Sequence, residues 1–449
     1  MILSLDTDYL VIGAGAAAMA FVDELISQSP TARVIMIDRR EAPGGHWNNA
    51  YPFVTLHQPA DFYGVNSEQL EDNPGEFASK EQILTYYKRV MKKLCATGRV
   101  NFFAQCEYQG DGQFRSLTDE SQIYQTTVHR RIVDAAYSNV SIPAERPPNF
   151  PVDSAMHCVP INALASLTRP WNHYVVIGAG KTGIDAILRL LEDLVDPSDI
   201  TWIMSHDPLL LNRDMMNRDV FPVEFPRQLR LTRGISTADE YLNVFEKHNW
   251  IMRLDPTIET EHFRCTSVDM CELAKIRRIS NIVRLGRVTE ITPDEVLLEH
   301  GAIPSHPDTL YIDCAANGLV RRPPKPVFDG KRITLQPISL CQPIFSAGLI
   351  ASIEVRETSD AKRNQASQPV PYPDTFLHYF QAILIWNRNS LAWIPRQKTM
   401  MFRKRLSILS HLSWWGKLRL LVGVVCWGYP AIAAIEQIIE NQQRKQGPN

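Results

Sequence analysis

The chain has 449 residues, enough for two or three domains with large buried cores. Its formal net charge of −2, from 47 basic and 49 acidic residues, provides no field for a polyanion, so nucleic acid is not an expected partner. The eight cysteines (Cys95, Cys106, Cys158, Cys265, Cys271, Cys314, Cys341 and Cys426) are scattered without a CxxC pair, which fits buried thiols in a reduced compartment.

Asp6 and Asp8 lead directly into an apolar strand, Tyr9-Leu10-Val11-Ile12, leaving no room for a signal peptide, so cytoplasmic residence is the default expectation. The turn Gly13-Ala14-Gly15-Ala16-Ala17-Ala18 follows and opens a helix. Strand, turn and helix together make a dinucleotide fingerprint: Gly13 allows the tight turn, Gly15 lets backbone approach a pyrophosphate, and Ala18 is small enough for close helix–strand packing. The pyrophosphate would rest on N–H groups at the helix N-terminus. The next strand, Val34-Ile35-Met36-Ile37, ends in Asp38, suited to the ribose hydroxyls of an adenosine, with Arg39 beside it as a further cofactor contact.

Two proline-rich crossings, 142–151 and 318–326, each follow a short apolar strand, Arg131-Ile132-Val133 and Leu310-Tyr311-Ile312. Paired stiff connections suit one domain inserted into another. The expected fold class is α/β with two Rossmann-like dinucleotide-binding domains, the second inserted into the first, plus a C-terminal helical segment. Residues 1–150 and 311–375 form the first domain, 151–310 the second, and 376–449 the C-terminal segment.

Inside the second domain, Tyr174-Val175-Val176-Ile177 runs into Gly178-Ala179-Gly180-Lys181-Thr182-Gly183, and Ile184, Ile187, Leu188 and Leu191 continue at helical spacing. Gly178, Gly180 and Gly183 repeat the three roles of the first turn. Lys181 at the helix start approaches phosphate, and Thr182 offers a hydroxyl. The strand Ile200-Thr201-Trp202-Ile203-Met204 ends in Ser205 and His206, which tolerate a 2′-phosphate, but Asp207 follows and favours a bare ribose. NADPH is therefore the expected second cofactor, with NADH as the alternative. Arg213 either reaches the 2′-phosphate by bidentate bonds or pairs with Asp214.

From Pro395 to Arg419 the chain carries Arg396, Lys398, Arg403, Lys404, Arg405, Lys417 and Arg419 with no acid, interleaved with Phe402, Trp414 and Trp415. Leu420 to Ile435 is then almost wholly apolar, but short for a span and interrupted by Gly423, Gly428 and Pro430. This segment either packs on the body or in a dimer contact, or lies peripherally on a membrane. The oligomeric state is left open.

Gly44-Gly45-His46-Trp47, Tyr51-Pro52 and Thr55-Leu56-His57-Gln58-Pro59, together with both glycine turns, resemble the flavin-containing and Baeyer–Villiger monooxygenases over most of residues 5–340. The resemblance implies FAD on the first turn and NADPH on the second, with Gly45, His46 and Trp47 against the FAD. Trp47 covers a cofactor face or is a plain core tryptophan. Two residues before the proline the family usually has Asn or Asp near the reactive edge of the flavin. That position matches His57, with Gln58 next to it. An imidazole of near-neutral pKa would bond the flavin N5 region, relay a proton or touch the nicotinamide, or else be structural. Ala315-Ala316-Asn317-Gly318 loosely matches a late Ala-Thr-Gly element, and Gly318 would let backbone approach the isoalloxazine.

Other family landmarks are missing. Phe150 and His157 do not make the Phe-x-Gly-x-x-x-His linker, and no Baeyer–Villiger arginine stands between Tyr51 and Asp61. A disulfide reductase is excluded, since the first cysteine is Cys95, and no GxSxG, HExxH or metal-ligand spacing appears. The expected activity is that of an FAD-dependent, NAD(P)H-consuming oxidoreductase, a monooxygenase using a C4a-peroxyflavin and molecular oxygen on a small apolar substrate. His57 is its catalytic candidate. An NAD(P)H-dependent flavin reductase or dehydrogenase, and a non-catalytic redox sensor, are the alternatives.

Overall fold

The computed structural model of the protein describes residues 2–71, 77–138, 140–315, 318–319 and 322–446. β1 (Ile2–Ile12) buries Tyr9, Leu10 and Val11 completely and gives way at Gly13 to α1 (Ala16–Gln28). β2 (Val34–Ile37) follows, then α2 (Lys80–Ala96), whose first turn is closed by a Ser79–Gln82 capping box. β3 (Val100–Phe103), a hairpin over Cys106–Gly110 and Gln113–Ser116, and β4 (Ile123–Asp134) complete this part of the chain.

The second unit begins with β5 (His157–Pro160) and β6 (His173–Ile177), followed by α3 (Lys181–Glu192) and β7 (Ile200–Ile203). A small sheet centred on Leu209–Asn212 comes next, flanked by Ile251–Arg253 and Phe263–Val268, with α4 (Phe221–Thr232) between its strands. α5 (Met270–Ile276), β8 (Asn281–Val283), a three-stranded antiparallel meander over 288–304 and β9 (Thr309–Asp313) follow. β10 (Arg332–Thr334), α6 (Pro343–Arg356), α7 (Phe376–Trp393), α8 (Trp414–Gly423) and α9 (Tyr429–Gln446) end the chain.

Two largely parallel sheets result. The first runs β10-β4-β1-β2-β3, with the two-residue strand Phe328–Asp329 on its edge and the hairpin beside β4. The second runs β5-β9-β6-β7-β8, parallel throughout. The chain thus leaves the first sheet after β4, builds the second, and returns with β10 parallel to β4. Leu310, Tyr311 and Ile312 lie inside β9, between β5 and β6, so the second sheet extends across the expected boundary at 310. Their burial explains this, since a strand covered on both faces belongs in the middle of a parallel sheet.

α6 is apolar nearly all round, as suits a helix packed against α1, and its residues 344–354 are buried. One continuous apolar core runs from β1 and α1 through Trp47, Tyr51 and Val54 to Ile161, Leu164 and the β6–α3 unit. A second core joins Tyr241, Phe245 and Phe263 to Phe376 and Phe380 of α7 and to Ile435, Ile438 and Ile439 of α9.

One expectation about the cysteines is corrected. Cys265 is bonded to Cys341, while Cys95, Cys106, Cys158, Cys271, Cys314 and Cys426 are free. The partners are 76 residues apart and meet only because the small sheet of the second unit folds back against the chain entering α6.

The second glycine turn tests this packing. Gly178 has φ of +119°, and a Cβ on Gly183 would lie 2.0 Å from the Gly178 carbonyl oxygen, so the α3–β6 contact has no space for a methyl group. A Cβ on Gly180, at φ −77°, would meet nothing within 4 Å. Gly183→Ala is expected to cost about 3 kcal/mol in urea unfolding, and Gly180→Ala to stay within about 1 kcal/mol of the parent. Equal stabilities would contradict the contact.

Candidate functional site

The first turn is held by Asp38. Its buried carboxylate accepts the Ala14 N–H at 2.6 Å on Oδ2 and the Arg40 N–H at 2.8 Å on Oδ1, leaving each oxygen lone-pair capacity for a ribose hydroxyl. Gly15 stands at the N-cap of α1 and no side chain caps the helix, so its first N–H groups are left available to a ligand. Ala18 is buried against β1 as the fingerprint requires. Arg39 is exposed, 3.5 Å from Glu107.

The loop after β2 folds onto this turn. Gly44 N–H donates to the Ala14 carbonyl at 2.9 Å, and Gly45, at φ +59°, packs so closely that a Cβ would lie 2.9 Å from the Gly15 Cα. His46 stacks on Trp47 with ring centroids 5.4 Å apart. Trp47 itself is only 6% exposed, and its indole N–H donates to the Tyr63 hydroxyl at 2.6 Å, so it offers a ligand little surface.

The second turn is anchored by Trp202, whose indole N–H donates to the Gly178 carbonyl at 2.9 Å. Gly180 caps α3, again without a side-chain cap, and Thr182 beside it is half-buried. Lys181 Nζ donates to Asp185 Oδ1 at 2.5 Å and lies 3.6 Å from Glu272 Oε1. The other oxygen of Asp185 accepts the Tyr51 hydroxyl at 2.5 Å, joining the loop over the first turn to the second helix. Burial and Asp185 both raise the Tyr51 pKa, keeping the phenol a donor.

Arg213 continues the chain of charges. Buried over the Phe77 ring at 4.5 Å, it pairs with Asp269 at 3.0 Å and with Glu272, not with Asp214. As placed, its guanidinium serves this junction and not a phosphate. Asp207 is likewise engaged: Arg284 holds both its oxygens, at 2.7 and 2.9 Å. Ser205 and His206 remain exposed at the end of β7, with Oγ and Nδ1 3.1 Å apart.

His57 lies where the two units meet, within the electrostatic reach of Lys181, Asp185, Arg213 and His46. Its Nδ1 is buried without a hydrogen-bond partner. Burial, then the Lys181 charge, then Arg213 and His46, push its pKa down to about 3 against the opposing pull of Asp185. His46 is held at about 4, by burial first and by Arg40 next. The near-neutral titration expected of His57 is therefore corrected: it is a neutral imidazole at pH 7, able to donate from one ring nitrogen and accept at the other. Gln58 is half-buried next to it. Gly318 pairs with Ser141 in a two-stranded bridge; Ala316 and Asn317 lie outside the described residues.

Asp185, Asp269 and Glu272 of this junction, and Arg284 beside Asp207, escape a reading of motifs, while Tyr51 stands in a motif that gives it no such role. Two local signals existed. Asp185 stands four residues after Lys181, on the same helix face. Asp269 and Glu272 form a capping box at the start of α5. Nothing local connects either to His57. Among the described residues no group of three or more His, Cys, Asp or Glu could hold a metal ion.

Comparison with known proteins agrees with this arrangement. The fold is that of the flavin-containing and Baeyer–Villiger monooxygenases. The closed crystal structure of cyclohexanone monooxygenase matches 95% of this chain and 98% of its own, with 13% identity and a TM-score of 0.51. OTEMO in complex with FAD and NADP matches the same shares at 15% identity and a TM-score of 0.50. By sequence, the chain belongs to the same family as the uncharacterized protein Rv2000 of Mycobacterium tuberculosis. The two are 41% identical over 431 residues, covering 91% of this chain and 79% of that protein. An 85-residue stretch, 19% of this chain, is 29% identical to the FAD-binding monooxygenase ktnD of Aspergillus niger. No family model matches the sequence.

The depressed histidines give a pH signature. The unfolded chain protonates His57 near pH 6.5, whereas the folded chain resists until about pH 3. Stability from its burial as a neutral ring is thus complete above pH 6.5 and is lost as pH falls toward 3. Urea unfolding between pH 7.5 and 5 is expected to show His57→Asn losing up to one proton's worth of this slope, at most about 1.4 kcal/mol per pH unit. Parallel pH profiles for parent and variant would mean the ring titrates normally when folded.

Proposed function

We propose that the protein is an FAD-dependent oxidoreductase of the monooxygenase type, reduced by NADPH and acting with molecular oxygen on a small apolar molecule. The observation that carries this reading is the pair of uncapped glycine turns, each ending a central parallel strand, joined by a buried polar junction in which His57 Nδ1 has no partner. The relatives' printed cofactors, FAD and NADP in OTEMO and FAD in ktnD, support it. In this reading the first sheet with its helices forms the FAD domain, and the second sheet, which runs through β9 to Asp313, belongs to the NADPH domain.

The residues fit both cofactors. Asp38 takes the adenosine ribose of the FAD, the first turn of α1 its pyrophosphate, and the backbone at Gly45 and Gly318 passes close to the ring system. FAD supplies hydride acceptance from the nicotinamide and the activation of oxygen. At the second turn, Gly180 and Thr182 would receive the NADPH pyrophosphate, and Lys181, now paired with Asp185, would supply the nearby positive charge. Ser205, His206 and the cationic Arg284 surround the 2′-phosphate. The Arg284 pair neutralises Asp207, which removes the repulsion that would favour NADH. His57 would accept or donate a hydrogen bond at its open Nδ1 without carrying charge.

A second reading, a flavin reductase or dehydrogenase without oxygenation, draws on the same His57, where related enzymes carry Asn or Asp. Anaerobic reduction with NADPH or NADH, followed by mixing with oxygen, separates the two. A slow spectral phase distinct from both oxidised and reduced flavin is expected. Direct return to oxidised flavin with stoichiometric hydrogen peroxide, with and without apolar substrates, favours the reductase. If neither nucleotide bleaches the flavin, both readings fail.

The second turn has its own test. Gly180→Ala fills the open space above the turn with a methyl group while leaving the first turn untouched. It is expected to raise the KM for NADPH about tenfold, equivalent to about 1.4 kcal/mol, with FAD content unchanged. An unaltered KM would move the nicotinamide cofactor elsewhere.

A further inference from the structure

The helix that begins at Trp414 continues through a wider turn at Val424–Gly428 into α9, and Trp414–Arg444 is long and apolar enough to cross a membrane. Its environment argues for a different role. Its inner side is locked to the body: Gly423 packs so tightly on Pro226 of α4 that a Cβ would lie 2.4 Å from the proline Cβ, and Gly416 sits against Pro222. Its C-terminal half supplies Ile435, Ile438 and Ile439 to the second core. A helix fastened along one side and buried at one end cannot be surrounded by lipid.

The outer side is bare and apolar. Trp415, Leu418, Val422, Val425 and Tyr429 recur every three or four residues and are 72%, 39%, 48%, 72% and 83% exposed. Trp414 at 74% and Leu421 at 60% widen the strip. At 3.6 residues per turn the exposed positions from 414 to 425 span an arc of roughly 200°. A single partner helix covers only a narrow seam, so this width suits a fluid apolar phase better. Tryptophans stand at one end and a tyrosine at the other, the residue types that anchor at a bilayer–water boundary.

Charge narrows the occupant further. No acidic residue occurs between Asp374 and Glu436, while Arg388, Lys398, Arg403 and Arg419 of that stretch are exposed. The bare helix itself carries Lys417 and Arg419 and no acid before Glu436, which disfavours a second copy and favours an anionic surface.

We propose that α8 and the turn after it form an in-plane membrane anchor, with Trp415, Leu418, Val422 and Val425 inserted among the acyl chains of an anionic leaflet and Arg419 at the headgroups. The anchor is independent of the redox chemistry. It holds the protein at the bilayer surface without a transmembrane span.

The test uses the full-length flavoprotein and sedimentation with vesicles of phosphatidylcholine mixed with phosphatidylglycerol, against vesicles of phosphatidylcholine alone. Binding to the mixed vesicles is expected, weakening about tenfold in high salt. Val425→Glu and Trp415→Glu should each abolish it. Both side chains are about three-quarters exposed, so urea unfolding and flavin content should match the parent, and the double variant Lys417→Glu/Arg419→Glu should lose only the preference for anionic lipid. The proposal is overturned if the protein stays in solution with both vesicle types, or if Val425→Glu binds as the parent does. It is also overturned if the parent sediments as a dimer that Val425→Glu dissociates without any vesicle binding, since the face then belongs to a second copy.

Discussion

A carboxylate largely withdrawn from water must be paired, and Asp185, 14% exposed, finds two partners: Tyr51 from the loop over the first glycine turn and Lys181 from the second helix. Glu272, Arg213 and Asp269 extend the pairing into α5. Removing one partner from such a network leaves an uncompensated charge, at a typical cost of about 3–5 kcal/mol. The relative setting of the two dinucleotide units therefore depends on this junction as well as on their shared apolar core.

The junction also determines what His57 can do. A half-buried ring within reach of the Lys181 and Arg213 charges resists taking up a proton. It remains neutral and offers one orphaned nitrogen. A dinucleotide arriving at the second turn would compete with Asp185 for Lys181, and Asp185 is also the acceptor of the Tyr51 hydroxyl that joins the units. Binding of the nucleotide and rearrangement of the junction are then linked through a single ammonium group.

Some of the site was legible from local pattern and some was not. The turns at Gly13 and Gly178 could be read because tight strand-to-helix turns restrict residue choice within six positions. Asp38 was legible for a similar reason, since the end of β2 lies at a constant chain distance from the first turn. Arg213 and Asp207 were ambiguous in sequence, each with a nearby opposite or competing charge. Their partners, Glu272 and Arg284, are 59 and 77 residues away, and ion pairing over such a separation has no local signature. Trp47 similarly suited either a cofactor face or the core until Tyr63 was seen to take its N–H.

Sequence alone determined the two βαβ units, their glycine turns and the unusual residue at His57, because backbone geometry and side-chain volume act between near neighbours. Tertiary structure alone decided the charge state of His57, the engagement of Lys181, Arg213 and Asp207, and the Cys265–Cys341 bond. It also decided which side of the Trp414 helix remains bare. Desolvation and Coulomb energy depend on everything within several ångströms, and that neighbourhood exists only once distant segments have packed.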